Sequence, residues 1–106
     1  MNQIKTFDNF VASVKAALAK EFPDCQVGII PVTKNNGIRL QGVSVKPQET
    51  GIAPNIYMEK YFSDFQKGRQ FTDIIKELKS VYRQGMDKVA MGINADAIQD
   101  FSFVKD

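Results

Sequence analysis

The chain has no histidine and one cysteine, Cys25, and these two shortages exclude more chemistry than any motif in it supports. Without a second cysteine no disulfide can close within the chain. Without Cys and His clusters, zinc, haem and iron–sulfur sites lack their usual ligands, and no metal or cofactor is expected. Without imidazole there is no His-based triad and no His general acid or base. Charge of one sign is scarce as well. Fourteen basic and twelve acidic residues leave +2, whereas a dedicated nucleic-acid binder carries an excess large enough to release several counterions. No apolar run approaches the roughly 20 residues that cross a bilayer. Met1-Asn-Gln-Ile-Lys5 has no apolar run behind its charge, so a secretory signal is not expected and a cytoplasmic location is the default.

What is present suffices for a core. The 106 residues read as one domain, 1–106. A chain of this length buries roughly two-thirds of its unfolded surface and needs no staple. Eight Phe and three Tyr supply the bulk of that core. From Thr6 to Phe22 the residues Phe7, Phe10, Val11, Val14, Leu18 and Phe22 recur every three or four positions, the spacing of one buried helix face. Thr6 suits the N-cap, Asp8 the first turn, and Pro23 stops the helix.

Gln26-Val-Gly-Ile-Ile-Pro-Val-Thr33 is rich in β-branched residues and reads as a strand. Pro31 places it at a sheet edge or at a bulge. Asn36-Gly37 signals a hairpin through a type I′ turn, with positive φ at both central residues. In the returning strand, Ile38–Val45, Ile38 and Leu40 are out of phase with Val43 and Val45. A bulge at Gln41-Gly42 would bring all four to the core side. Ile52–Met58 reads as a third strand disturbed early by Pro54. Met58, Tyr61, Phe62 and Phe65 then fall at helical spacing up to Gly68, a C-terminal cap. A longer helix over 71–84 buries Phe71, Ile74, Ile75, Leu78 and Tyr82 and ends at Gly85. Asn94–Phe101 reads as one more turn or helix, and Phe101 and Phe103 must dock back or stay exposed.

With Asn35-Asn-Gly-Ile-Arg-Leu-Gln-Gly42, Ile52-Ala-Pro-Asn-Ile-Tyr-Met-Glu59, Tyr61, Phe65 and Gly68 in place, the sequence resembles a domain-of-unknown-function family of anaerobic gut bacteria. Members of that family share an Asn-Asn-Gly hairpin, a Leu-x-Gly strand, and Ile-Ala-Pro-x-Ile-Tyr-Leu-Glu running into an aromatic helix. Met58 stands where Leu is typical. The resemblance spans about Cys25 to Asp106 and implies a short stand-alone version of a longer protein's N-terminal domain. It implies no activity.

Five constellations carry possible chemistry, and each has a plainer structural reading. Asn55, Tyr57, Glu59, Tyr61 and Arg69 gather around the strand-to-helix junction, where a Glu with Tyr and Arg could act as a base with an electrophilic partner. Equally, the tyrosines are amphipathic core and Glu59 favours a helix dipole. The glycines Gly37, Gly42, Gly51 and Gly68 are isolated and fit turns, a bulge or a cap, not a phosphate loop. Cys25 follows Asp24, which disfavours the thiolate, and reads as a small hydrophobe. Asp87, Asp96, Asp100 and Asp106 lack calcium-loop spacing. Lys76, Lys79 and Arg83 share one helix flank, with Lys67 and Arg69 in the loop before it. These five cations are the expected interaction surface.

The expected fold is α+β: helix, hairpin, third strand, then two helices over one face of a small antiparallel sheet, with a short C-terminal segment. The leading functional expectation is a non-enzymatic protein-interaction module. One specific form is a small phage- or mobile-element-type inhibitor such as an anti-CRISPR protein, an expectation by analogy of size. The alternatives are weak nucleic-acid binding through the 67–83 flank and an enzyme built on Glu59 and Tyr57. A homodimer is open if Phe101 and Phe103 are exposed.

Overall fold

The computed structural model describes residues 4–33, 36–48, 52–90 and 102–105. Its elements are α1 (Phe7–Glu21), β1 (Cys25–Thr33), β2 (Arg39–Pro47), β3 (Ile52–Tyr57), α2 (Glu59–Gln66), α3 (Phe71–Ala90) and β4 (Ser102–Lys105). The strands form one antiparallel sheet in the order β1-β2-β3-β4. The fold is α+β, with α1 and α3 packed on the sheet.

α1 begins where the Thr6 hydroxyl accepts the Asn9 N–H at 3.1 Å, the N-cap bond that satisfies one orphan donor. It buries Phe10, Val11, Val14 and Leu18. These meet Ile74, Leu78 and Tyr82 of α3 and Val43, Val45 and Ile56 of the sheet in one core. Each fully buried side chain of this size contributes about 1.5–3 kcal/mol. The Phe10 ring stands 5.4 Å from Phe62, 5.5 Å from Phe65 and 6.1 Å from Phe71, so one α1 side chain ties α2 and α3 together. Tyr82 is fully buried and its hydroxyl donates to the Val43 carbonyl, fixing α3 to the sheet by a polar bond inside an apolar core.

The hairpin departs from expectation in two ways. Thr33 pairs with Arg39 as the last pair of the ladder, and Ile38 lies outside it. Among the described residues only Gly37 and Gly68 have positive φ, so Asn36 does not adopt the type I′ conformation. Instead Asn36 Oδ1 accepts the Ile38 N–H at 3.2 Å, an Asx turn that Gly37 completes at φ 83°. The second departure is the absence of a bulge. Nine consecutive pairs run from Cys25↔Pro47 to Thr33↔Arg39. Val43 and Val45 face the helices, whereas Leu40 alternates to the other face and Ile38 is 54% exposed.

Gly42 therefore serves close packing. A β-carbon there would lie 2.2 Å from Asn55 Oδ1 and 2.6 Å from its Cγ, so the buried Asn55 amide occupies the space that the missing side chain leaves. Pro54, in turn, lies beyond the three pairs that join β2 to β3, from Gly42↔Tyr57 to Ser44↔Asn55. Its missing N–H removes nothing from that ladder. Pro31 lies on the outer strand, as expected. Gln41 turns its backbone N–H and C=O toward β3 and α2, so its pair with Pro31 is a non-hydrogen-bonded one. The imide nitrogen of Pro31 consequently points to the free edge, where no donor is needed.

α2 ends in a Schellman motif: Gly68 at φ 107°, its N–H on the Phe65 carbonyl, and the Arg69 N–H on the Asp64 carbonyl. α3 runs past its expected stop. Gly85 stays helical and buried, without the positive φ of a C-terminal cap, and the helix continues to Ala90. The chain then returns as β4, whose Phe103 pairs with Pro54 of β3. Phe101 and the turn expected over 94–101 lie outside the described residues. No described helix is long and apolar enough to cross a membrane.

The Gly42–Asn55 contact yields a direct expectation. Gly42→Ala forces the buried Asn55 amide aside and is expected to destabilise the fold by about 1–3 kcal/mol in urea unfolding. A loss below about 0.5 kcal/mol would mean that the amide relocates freely.

Candidate functional site

The strand-to-helix junction was the first candidate, and its residues turn out to serve two separate structures. At the end of β3 the chain turns into α2 with Met58 as the N-cap in αR geometry. The Met58 carbonyl accepts the Phe62 N–H at 2.9 Å, so it is committed to the helix. Gln41 on β2 still donates and accepts in that direction. Its carbonyl takes the Met58 N–H at 2.9 Å, and its N–H goes to Glu59 Oε2 at 2.8 Å. The Glu59 carboxylate thus replaces the strand carbonyl that the helix has taken. Its role is wider than the dipole effect expected from its place in the first turn. Glu59 Oε1 and Gln41 Oε1 are buried without a hydrogen-bond partner among the described residues.

Tyr61 and Arg69 belong to a second group, on the α2–α3 side. Arg69 meets Asp64 at 3.3 Å and Glu77 at 2.9 Å. The Glu77 carboxyl is held below its ordinary range, first by the Arg69 hydrogen bond and also by one from Tyr61. Burial pushes the Tyr61 phenol up to about 12, and its bond to Glu77 adds to the rise. A base and an electrophile do not converge here, since Arg69 reaches Glu77 and Glu59 reaches Gln41.

The expected interaction surface divides in the same way. Lys67 is the exposed C-cap of α2, and Arg69 is committed to its two carboxylates. Lys76, Lys79 and Arg83 do share one flank of α3, where with Ser80, Gln84 and Asp87 they line a depression of about 340 Å³. Lys79 pairs with Glu21 of α1 at 2.8 Å, and that pair holds the Glu21 carboxyl below its usual value. The Arg83 guanidinium lies 5.5 Å from the centroid of the Phe22 ring. Arg83 and Asp87 also line a second hollow, about 330 Å³, with Phe22, Asp24, Cys25 and Met86.

Cys25 is half-buried and its thiol is pushed up, by burial first and by Asp24 second, so it is not a poised thiolate. Of the acidic set only Asp87 is described. Asp96, Asp100 and Asp106 lie outside the described residues, and no group of three acids or thiols that could hold a metal occurs among those described. Because it stopped the helix at Gly85, sequence reasoning left Met86 unnamed and grouped Asp87 with the C-terminal acidic residues rather than with the α3 flank. With the helix continued, Asp87 stands four residues after Arg83 on the same flank.

A family model covers residues 7–106, described as a family of unknown function (DUF5688). The chain belongs to that family. The match includes α1, which the resemblance drawn from the sequence had left out, and reaches the end of the chain. No curated protein and no solved structure matches. In this DUF5688 chain the segments Gln41-Gly42 and Asn55–Glu59 are two halves of one junction, brought together by the β2–β3 pairing.

Two expectations follow from these bonds. Glu59→Ala leaves the part-buried Gln41 N–H without its acceptor and is expected to cost about 1–3 kcal/mol in denaturant unfolding. Glu59→Gln keeps an acceptor oxygen and is expected to recover most of that loss. Equal losses in the two variants would show that charge, not the ladder bond, is what matters. For Glu77, a lowered folded-state value means stability present above the unfolded carboxyl range and lost as pH falls through the folded value. Thermal midpoints of the native chain and Arg69→Gln are therefore expected to differ at pH 7 and to converge toward pH 3. A constant offset would contradict the pairing.

Proposed function

We propose that the protein is a non-enzymatic binding module whose partner is another protein, contacted through the exposed flank of α3. The observation that carries this reading is the balance of charge along that flank. The two adjoining depressions place Lys76, Lys79 and Arg83 beside Glu21, Asp24 and Asp87, three cations against three anions. A polyphosphate backbone is favoured by uncompensated positive charge, whereas a mixed, patterned surface suits a protein of complementary pattern. Ser80 and Gln84 add neutral donors and acceptors within the same depression.

Inhibition of a partner, as in an anti-CRISPR protein, is one form such binding takes, and the flank supports binding without favouring that form over others. An origin among anaerobic gut bacteria is part of the same reading. Weak nucleic-acid binding is the rival, with Lys67, Lys76 and Arg83 as cations of the expected surface that make no ion pair among the described residues.

The test is capture by the immobilised full chain, compared with Lys76→Glu combined with Ser80→Arg, which inverts the pattern and spares the Lys79–Glu21 pair. A stoichiometric protein retained after nuclease treatment, and released at least about tenfold more readily from the double variant, is the expected result. Retention that disappears with nuclease and falls steeply with salt would move the reading to nucleic acid.

A further inference from the structure

The second hollow, where the end of α1 and the start of β1 meet the last turns of α3, has a lining of its own. Its volume of about 330 Å³ is at the small end of the range, roughly 300–1,000 Å³, spanned by small-molecule sites. Phe22, Pro23 and Met86 supply apolar surface. The exposed Arg83 guanidinium lies over the Phe22 ring at 5.5 Å from its centroid, within cation–π range. It makes no hydrogen bond or ion pair with any described residue. Asp24 and Asp87 are likewise without an ion pair among the described residues, whereas the Glu21 carboxylate is occupied by Lys79.

The hollow therefore presents one guanidinium and two carboxylates without ion pairs among the described residues, beside an apolar wall. An anionic ligand would meet Arg83 but be repelled by two aspartates. A simple amine would meet the aspartates with Arg83 beside them. A zwitterion with an apolar body satisfies all three charges at once. We propose that this hollow binds a free α-amino acid with an apolar side chain. Its carboxylate lies on the Arg83 fork, its ammonium toward Asp24 and Asp87, and its side chain against Phe22 and Met86. This hollow shares Arg83 and Asp87 with the proposed partner surface, whereas Lys76, Ser80 and Gln84 take no part in it.

The experiment is a titration of the full chain with leucine, methionine and phenylalanine. It follows the backbone amide resonances of Cys25, Met86 and Asp87 together with the alkylation rate of the Cys25 thiol. Saturable shifts at millimolar or lower concentration with at least one of the three, and slower alkylation in its presence, are expected. For that amino acid, the N-acetyl form lacks the ammonium and the amide form lacks the carboxylate. Each is expected to bind at least about tenfold more weakly. Arg83→Gln is expected to weaken the free amino acid by a similar factor and to leave the amide form unchanged. No saturable shift with any of the three, or blocked forms that bind as well as the free amino acid, would overturn the proposal. The blocked-form comparison uses the native chain and stands even if a variant folds poorly. Because Lys76→Glu leaves this hollow intact, loss of partner capture by that substitution reports separately on the α3 depression.

Discussion

The fold turns on the backbone of one residue, Gln41. At its position two structures compete for the same acceptor: β2 needs a carbonyl from the strand beside it, and α2 needs the Met58 carbonyl for its first helical bond. A buried N–H left without a partner costs about 1–3 kcal/mol, so one of the two would have to yield. Glu59 resolves the competition by giving its side-chain oxygen to Gln41 at 2.8 Å. The strand can then become a helix with no intervening loop. That abrupt change of direction places Tyr61, Phe62 and Phe65 against α1 and α3.

From that junction the rest of the helical layer follows. Phe10 meets the rings of Phe62, Phe65 and Phe71, and the Schellman ending at Gly68 delivers Arg69 to Asp64 and Glu77. α3 is pinned from within by the Tyr82 hydroxyl on Val43. These charged and polar contacts are partly exposed for Arg69 and fully buried for Tyr82, so they differ in weight. Exposed pairs are worth well under about 1 kcal/mol each, whereas a buried polar bond must be kept intact. The groups left over, on the outward flank of α3 and at its junction with α1 and β1, are those from which the binding proposals are built.

Much of the fold was legible because local rules sufficed. The Phe7 to Phe22 spacing, the Thr6 cap, the Gly68 stop and the placement of Pro31 on an outer strand each depend on a few neighbouring residues. The errors arose where neighbours do not decide. Gly85 reads as a terminus, but a glycine buried in a helix against a core can simply continue it. Gly42 reads as a bulge, yet it makes room for Asn55, thirteen residues away. The expected basic stripe was divided for the same reason. Arg69 and Lys79 find carboxylates on α2, α3 and α1, and only Glu77 and Asp64 lie near Arg69 in the sequence.

The sequence alone determined the order of the elements from α1 to α3, their helix faces and the shortage of histidine and cysteine, since these follow from composition and short-range periodicity. Tertiary structure decided what each polar residue does. Glu59 completes a ladder, Arg69 locks two helices, and Arg83 is held over a ring beside two aspartates. The physical reason is that a hydrogen bond or ion pair depends on angstrom-scale distances between atoms, and folding sets those distances between residues that the chain keeps far apart.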